Sequence, residues 1–466
     1  MTIEQIDYLI ESYLKFNPTS DQKRLISGLT EFIFSQKSHI FLLKGYAGTG
    51  KTSVVAALVQ SLREVKIYTV LMAPTGRAAK VLSSYAKTTA FTIHKKIYRQ
   101  KSIDEQSKFA LAPNLHKNTI FIVDEASMIS GNSYEQSVFG SGDLLEDMMN
   151  YICSGERCKV IIVGDSAQLP PVGFSLSPAL DIDRLGHYGD CSSVELKEVV
   201  RQTDKSGILV NATAVRKQIE ANDVRYPKFQ TDFPDIEQIT GTDLIEALSD
   251  AYSKYGNEET IVICRSNKKA NKYNEGIRNR VFFMEDEIVS GDRIMVVKNN
   301  YQSSKDIDEI DFIANGDMAT IRRIRKYQER YGLHFADMVL EFSDYNNLEV
   351  ESKAILDTLS IESASLPAEV NKELFYSLAE DYSFITNKRQ RYKAIKEDAF
   401  FNALQIKFAY AVTCHKSQGG QWECVFLDCP YFADNDLTFE DLRWFYTAIT
   451  RASKKLFLVN FDKRYF

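Results

Sequence analysis

Long apolar runs are missing from the 466-residue chain. None approaches the roughly 20 residues needed to cross a bilayer. The opening Met-Thr-Ile-Glu-Gln-Ile-Asp lacks a basic stretch followed by an apolar one. Neither a membrane protein nor an exported one is expected. Cysteines are few, and Cys153, Cys158, Cys191, Cys264, Cys414, Cys424 and Cys429 form no paired C-x-x-C set. Several lie in apolar segments where a thiol is a small hydrophobe, so a reducing cytoplasm is the expected compartment. Positive charge is not in excess either: the net charge is −6. This excludes a chain coated for a polyanion, but not one that binds nucleic acid through local basic and aromatic surfaces.

What is present begins with residues 39–53, where the apolar run Ile40–Leu43 breaks at Gly45 and resumes as a helix-like Ser53-Val-Val-Ala-Ala-Leu-Val. Between them stands Gly45-Tyr-Ala47-Gly48-Thr49-Gly50-Lys51-Thr52, which fills every fixed position of G-x-x-x-x-G-K-[ST]. Its glycines allow backbone angles that turn N–H groups onto a phosphate, and the following helix adds its positive end. Lys51 is placed to reach the β- and γ-phosphates and Thr52 to ligate Mg²⁺. A nucleoside triphosphate site is expected.

Before the loop, residues 2–37 read as helical around Asn17-Pro-Thr-Ser-Asp-Gln22. Gln22 stands either to read the edges of adenine or to lie solvated at a helix start. After it, strand Lys66–Ala73 ends in Pro74-Thr75-Gly76-Arg77, and parallel sheets place ligands at such strand ends. Thr75 and Arg77 either hold a backbone phosphate or simply begin a helix. Phe91-Thr-Ile-His94-Lys-Lys again mixes aromatic and basic side chains, and residues 99–118 read as a small excursion. The apolar Thr119–Val123 ends in Asp124 and Glu125. The first is placed for the Mg²⁺ shell and the second to orient and deprotonate water.

Strand Lys159–Val163 leads into Gly164-Asp-Ser-Ala-Gln168-Leu-Pro-Pro-Val-Gly-Phe174, a stiff loop suited to sensing a γ-phosphate. Val200-Arg201-Gln202 follows another apolar segment. From about residue 204 the strand pattern restarts without a second phosphate loop, passing Asn267 and Asn299. Residues 318–345 read as short antiparallel strands, and 346–400 as charged helix. The basic tracts Arg322–Lys326 and Lys388–Lys393 are either solvated faces or nucleic-acid contacts. Thr413-Cys-His415-Lys416-Ser-Gln-Gly419-Gly420-Gln421 and Tyr446-Thr-Ala-Ile-Thr-Arg451 close the series. An arginine at such a helix end can neutralise charge on a γ-phosphoryl group.

In this order the stretches resemble superfamily 1 DNA helicases of the RecD-like and Dda-like branch, from about Gln22 to Arg451. The resemblance implies an α/β fold of two RecA-like P-loop lobes: 1–203, and 204–317 with 401–466. An SH3-like and helical domain, 318–400, is inserted in the second. ATP and Mg²⁺ are the implied cofactors. Gly45–Ser53, Gln22 and Gly420 would hold nucleotide, and Lys51, Glu125, Gln168, Arg201 and Arg451 would act in hydrolysis. Single-stranded DNA and its junctions with duplex are the implied partners. They would be met by Thr75, Arg77, Phe91, His94, Phe174, Asn267, Asn299, Thr413, His415 and Lys416. Movement 5′ to 3′ by a monomer is implied as well. One position departs: many relatives carry an acid where this chain has Gln421.

Overall fold

The computed structural model describes residues 2–14, 16–100, 109–131, 139–199, 205–304, 307, 310, 312–432 and 437–466. A six-stranded parallel sheet forms the first lobe. Its strands run in the spatial order Ala90–Thr92, Tyr68–Ala73, Thr119–Val123, Lys159–Gly164, Ile40–Gly45, Cys191–Leu196. Successive side chains leave a strand on opposite faces, so an apolar run must be covered on both sides. Phe41 and Leu43 accordingly pack with helices Ser20–Phe34 and Lys51–Glu64. Ile40 and Leu42 pack with Leu144–Cys153 on the other face.

The second lobe repeats the plan with five parallel strands in the order Ala411–Thr413, Thr260–Cys264, Trp422–Asp428, Ala452–Val459, Ile236–Ile239. Ile261 and Ile263 face helices Gly207–Glu220 and Phe439–Ile449, while Val262 and Cys264 face Leu244–Tyr255 and Asn267–Arg280. Among the described residues no helix is long and apolar enough to cross a membrane.

A closed five-stranded barrel rises from the second lobe. Met318–Arg330, Leu333–Phe342 and Leu348–Ile355 form an antiparallel run. Arg293–Val296 and Leu404–Phe408, on either side of the expected insert 318–400, complete the cylinder. The charged stretch after residue 346 therefore opens as a strand. Its Val350 and Ala354 point into the barrel core while Glu349 and Glu351 point out, a period-two pattern that the acids disguise. Helices Ala368–Asp381 and Lys388–Glu397 then pack on the far end of the barrel through Leu374, Leu378 and Ile395. The basic tract from Arg322 is a paired face: Arg322 meets Glu341 at 2.6 Å, Arg323 meets Glu349 at 3.8 Å, and Arg325 meets Glu351. Within and beside the expected excursion 99–118, strands Tyr98–Gln100 and Phe109–Leu111 pair antiparallel.

Candidate functional site

The phosphate loop is shaped by its glycines. Gly48 and Gly50 adopt φ of 77° and 80°, a left-handed region that side chains with a Cβ disfavour. A Cβ on Gly45 would lie 2.9 Å from Cγ of Lys51. Lys51 opens helix Lys51–Glu64, and its ammonium donates to the Tyr46 carbonyl at 2.8 Å. It stands 3.8 Å from Oδ2 of the buried Asp165. Thr49 is buried and caps the turn by donating its hydroxyl to the same Tyr46 carbonyl at 2.8 Å.

Around the loop opens a cleft of about 1070 Å³, walled by both lobes. The first lobe contributes Ala47, Lys51, Thr52, Ser53, Asp124, Glu125 and Gln168, and the second Gly420, Gln421 and Arg451. This exceeds the upper end of ordinary small-molecule pockets, about 1,000 Å³. Asp124 receives the Glu125 N–H at 2.8 Å, and Glu125 holds a left-handed φ of 53°. Burial, and then the neighbouring Glu125 charge, push the Asp124 carboxyl up to about 7. A carboxylate so disfavoured in the free site is relieved by a cation. Among the described residues no group of three or more His, Cys, Asp or Glu could hold a metal alone. Thr52 and Asp124 line the same cleft, a hydroxyl and a carboxylate of the kind a Mg²⁺ ion takes beside substrate phosphates and water.

Arg451 lines the cleft but turns into its own lobe. It is 4 % exposed and donates to the carbonyls of Thr447 and Gly420, each at 3.0 Å, and to the Thr450 hydroxyl at 3.2 Å. Gln168 is buried, with Oε1 3.5 Å from the Ser127 hydroxyl. The segment Val200-Arg201-Gln202 lies outside the described residues.

Gln22 lies elsewhere than expected. It is 0 % exposed, its amide N–H donates to the Thr49 carbonyl at 2.9 Å, and its oxygen receives the Thr19 N–H at 3.0 Å. Both amide ends are spent bracing the phosphate loop and closing a capping box, so Gln22 does not face the cleft. The local signal was Thr19-x-x-Gln22 itself.

The expected strand-gripping residues divide. Asn267, Thr413 and Lys416 line one small cleft beside Asn271 and Lys407. His415 is exposed next to them, and burial lowers Lys416 to about 8. Asn299 accepts the Asn315 N–H at 2.7 Å, and Lys416 reaches Asn315 as well. Thr75 caps helix Gly76–Ala86 through the Ala78 N–H at 3.2 Å. Phe91 carries the Lys96 ammonium over its ring at 5.3 Å, and Phe174 lies half-buried in the loop after Gln168.

Two others are taken up by protein contacts. Arg77 donates to the Gln421 carbonyl at 2.8 Å and lies 4.3 Å from the Trp422 ring centre, joining the lobes. His94 sits half-buried among Phe139, Tyr98 and Phe312, with ring centres 4.8, 5.7 and 6.0 Å away, and burial lowers it to about 4. Neutral in that setting, it offers no charge to a phosphate.

Tyr446 heads the Arg451 stretch with no expected role of its own, yet its hydroxyl crosses to the first lobe and touches the phosphate loop and Asp165. It lies on the buried face of helix Phe439–Ile449, where the stretch that contains it signals Arg451 and not the tyrosine hydroxyl.

Residues 19–226 match the AAA domain family, and residues 408–459 the UvrD-like helicase C-terminal domain family. The chain is similar to the ATP-dependent DNA helicase dda of Enterobacteria phage T4, 26% identical over 95% of this chain and 99% of that one. It is 25% identical to the uncharacterized protein R530 of Acanthamoeba polyphaga mimivirus, over 93% and 98% of the two chains. The ATP-dependent RecD2 DNA helicase of Deinococcus radiodurans is 29% identical over 36% of this chain and 21% of its own. A crystal structure of a Bacteroides Pif1 helicase with ADP-AlF3 and single-stranded DNA aligns over 97% and 94% of the chains, with a TM-score of 0.47 and 14% identity. An AAA domain match in the first lobe and a UvrD-like helicase C-terminal domain match in the second thus flank one cleft, and in this the chain is similar to superfamily 1 helicases of the RecD-like and Dda-like kind.

Proposed function

We infer that this protein is an ATP-dependent DNA helicase, hydrolysing ATP between its lobes to move along single-stranded DNA and part duplex ahead of it. The observation that carries this reading is the make-up of the cleft: phosphate loop and paired acids from one lobe, Arg451 from the other. A site shared in this way changes its closure with nucleotide state, and differential affinity for DNA between those states drives stepping. Lys51 and the loop N–H groups bind the phosphates, and Glu125 orients and deprotonates the attacking water. Gln168, which lines the same cleft, would register the γ-phosphate. Thr52 and Asp124 would hold Mg²⁺, which neutralises charge on the phosphates when bound.

A single strand would lie across the carboxyl ends of the two sheets, against Thr75, Asn267, Asn299, Thr413, His415 and Lys416. Movement from 5′ to 3′ as a monomer accompanies this reading. The phage T4 relative, similar over nearly its whole length, is an ATP-dependent DNA helicase by name.

The test is strand displacement on forked duplexes with only a 5′ or only a 3′ single-stranded tail, with ATP and Mg²⁺. Displacement from the 5′ tail alone supports the full reading. Displacement from the 3′ tail keeps the helicase and reverses its direction. ATP hydrolysis stimulated by single strands without displacement replaces it with a translocase that remodels nucleoprotein.

A further inference from the structure

The second lobe reaches the phosphate loop through a residue other than its arginine. Tyr446, in helix Phe439–Ile449, is 1 % exposed. Its hydroxyl donates to Oδ2 of Asp165 at 2.6 Å and accepts the Ala47 N–H at 2.7 Å. Asp165 is equally buried, and its other oxygen receives the Ala167 N–H at 2.9 Å. The same Oδ2 that Tyr446 engages stands 3.8 Å from the Lys51 ammonium. One hydroxyl therefore sits among loop backbone, loop acid and phosphate-binding lysine. Burial and the Asp165 charge hold the phenol far above its ordinary value, so it stays a donor at neutral pH.

The neighbouring contacts strengthen this geometry. Thr447 accepts the Leu169 N–H at 2.9 Å, fastening the same helix to the loop that follows Asp165. The guanidinium carbon of Arg216, also of the second lobe, lies 4.6 Å from the centre of the Tyr46 ring in the phosphate loop. Arg451, by contrast, gives all its described bonds to its own lobe.

We propose that Tyr446 is a positioning residue for ATP: by donating to Asp165 Oδ2 at 2.6 Å it holds the Lys51–Asp165 ion pair at a loose 3.8 Å, so that the ammonium can exchange that partner for the phosphates. The proposal rests on reading the cleft as the ATP site. Its physical basis is competition. A buried carboxylate oxygen deprived of its donor is strongly attracted to the nearest cation, and attraction at such range grows as water is excluded. The nearest cation here is the one that ATP requires. The Ala47 N–H, held by the same hydroxyl, is kept in register with it.

The experiment compares ATP hydrolysis, stimulated by single-stranded DNA, in wild type, K51A, Y446F and Y446F/D165N. Phenylalanine keeps the ring that fills the core, and Y446L separates loss of packing from loss of the hydroxyl. Thermal melts accompany each variant. Y446F is expected to raise KM for ATP about tenfold with kcat lowered less than about threefold, since a bond to a charged group is lost before the chemical step. DNA affinity without nucleotide should stay at the wild-type value. Y446F/D165N should bring KM back toward wild type, because an amide offers Lys51 no charge. A role in packing alone would lower the melting temperature without any rescue by D165N. An unchanged KM in Y446F, or a raised KM that D165N does not lower, overturns the proposal. Normal hydrolysis by K51A would instead overturn the reading of the cleft itself.

Discussion

The guanidinium carbon of Arg77, at the start of helix Gly76–Ala86, lies 4.3 Å from the centre of the Trp422 ring, on the first strand residue after Gly420 and Gln421. The Arg77 Nη2 also donates to the Gln421 carbonyl at 2.8 Å. Lobe is thus joined to lobe at the rim of the nucleotide cleft. The contact is sterically specific: a Cβ on Gly420 would lie 2.4 Å from the Trp422 ring and 3.1 Å from Arg77 Nε. A side chain that the sequence offers for a DNA phosphate is engaged here in a contact between the lobes.

R77A is therefore expected to lower kcat for DNA-stimulated ATP hydrolysis about tenfold, from loss of a cation–π contact and a charged hydrogen bond. Affinity for single-stranded DNA should change little. Were Arg77 a phosphate contact, affinity would fall and the slope of log Kd on log salt would drop by about one. Fluorescence titrations at several salt concentrations distinguish the two.

K51A removes an ammonium placed at the phosphate loop. Hydrolysis should fall by about 10²- to 10³-fold, the usual loss when one preorganised charge-stabilising donor goes. Binding of single-stranded DNA should persist, since Asn267, Thr413 and Lys416 lie together on another part of the molecule. Steady-state kinetics beside a DNA-binding titration on the same preparation checks both halves.

These outcomes bear on what a sequence can disclose. The phosphate loop was legible because its chemistry is local: glycines with positive φ, lysine and threonine follow one another along the chain. Asp124 and Glu125 were legible once that loop was known, since they end the strand lying two places from it in the sheet. Gln22 misled because an amide near a helix start has two uses, and the capping box won it. The barrel was only half visible, as its closure pairs Arg293–Val296 with Leu404–Phe408 across the whole insert. Arg77 and Tyr446 depend on how two lobes meet, which no spacing within one segment encodes.

His94 makes stability depend on acid. Its ring is lowered to about 4 by burial, against 6.5 for the ordinary residue. The unfolded chain therefore binds more protons between those values, so stability is full above pH 6.5 and is lost as pH falls toward 4. The loss from this one residue reaches up to about 3 kcal/mol. H94F keeps an aromatic ring among Tyr98, Phe139 and Phe312 but cannot take a proton. Denaturant midpoints at pH 7.5 and pH 5 should consequently differ less in H94F than in wild type; equal differences would place the acid sensitivity elsewhere.

Arg451 should show the opposite kinetic signature to Tyr446. All its described bonds are within the second lobe, to Thr447, Gly420 and Thr450, and two of the three acceptors are backbone carbonyls. Such bonds exchange readily for a charged phosphate oxygen, and they leave the arginine outside the ground-state contacts of the phosphate loop. Its contribution is then realised when charge builds on the γ-phosphoryl group. R451A is expected to lower kcat about 10³-fold, in the range of other arginine fingers, while KM for ATP moves less than about threefold. R451K should restore little, because a single ammonium cannot reproduce the planar fork of donors. A KM effect as large as the kcat effect would instead make Arg451 a ground-state nucleotide contact, acting before the chemical step as Tyr446 does.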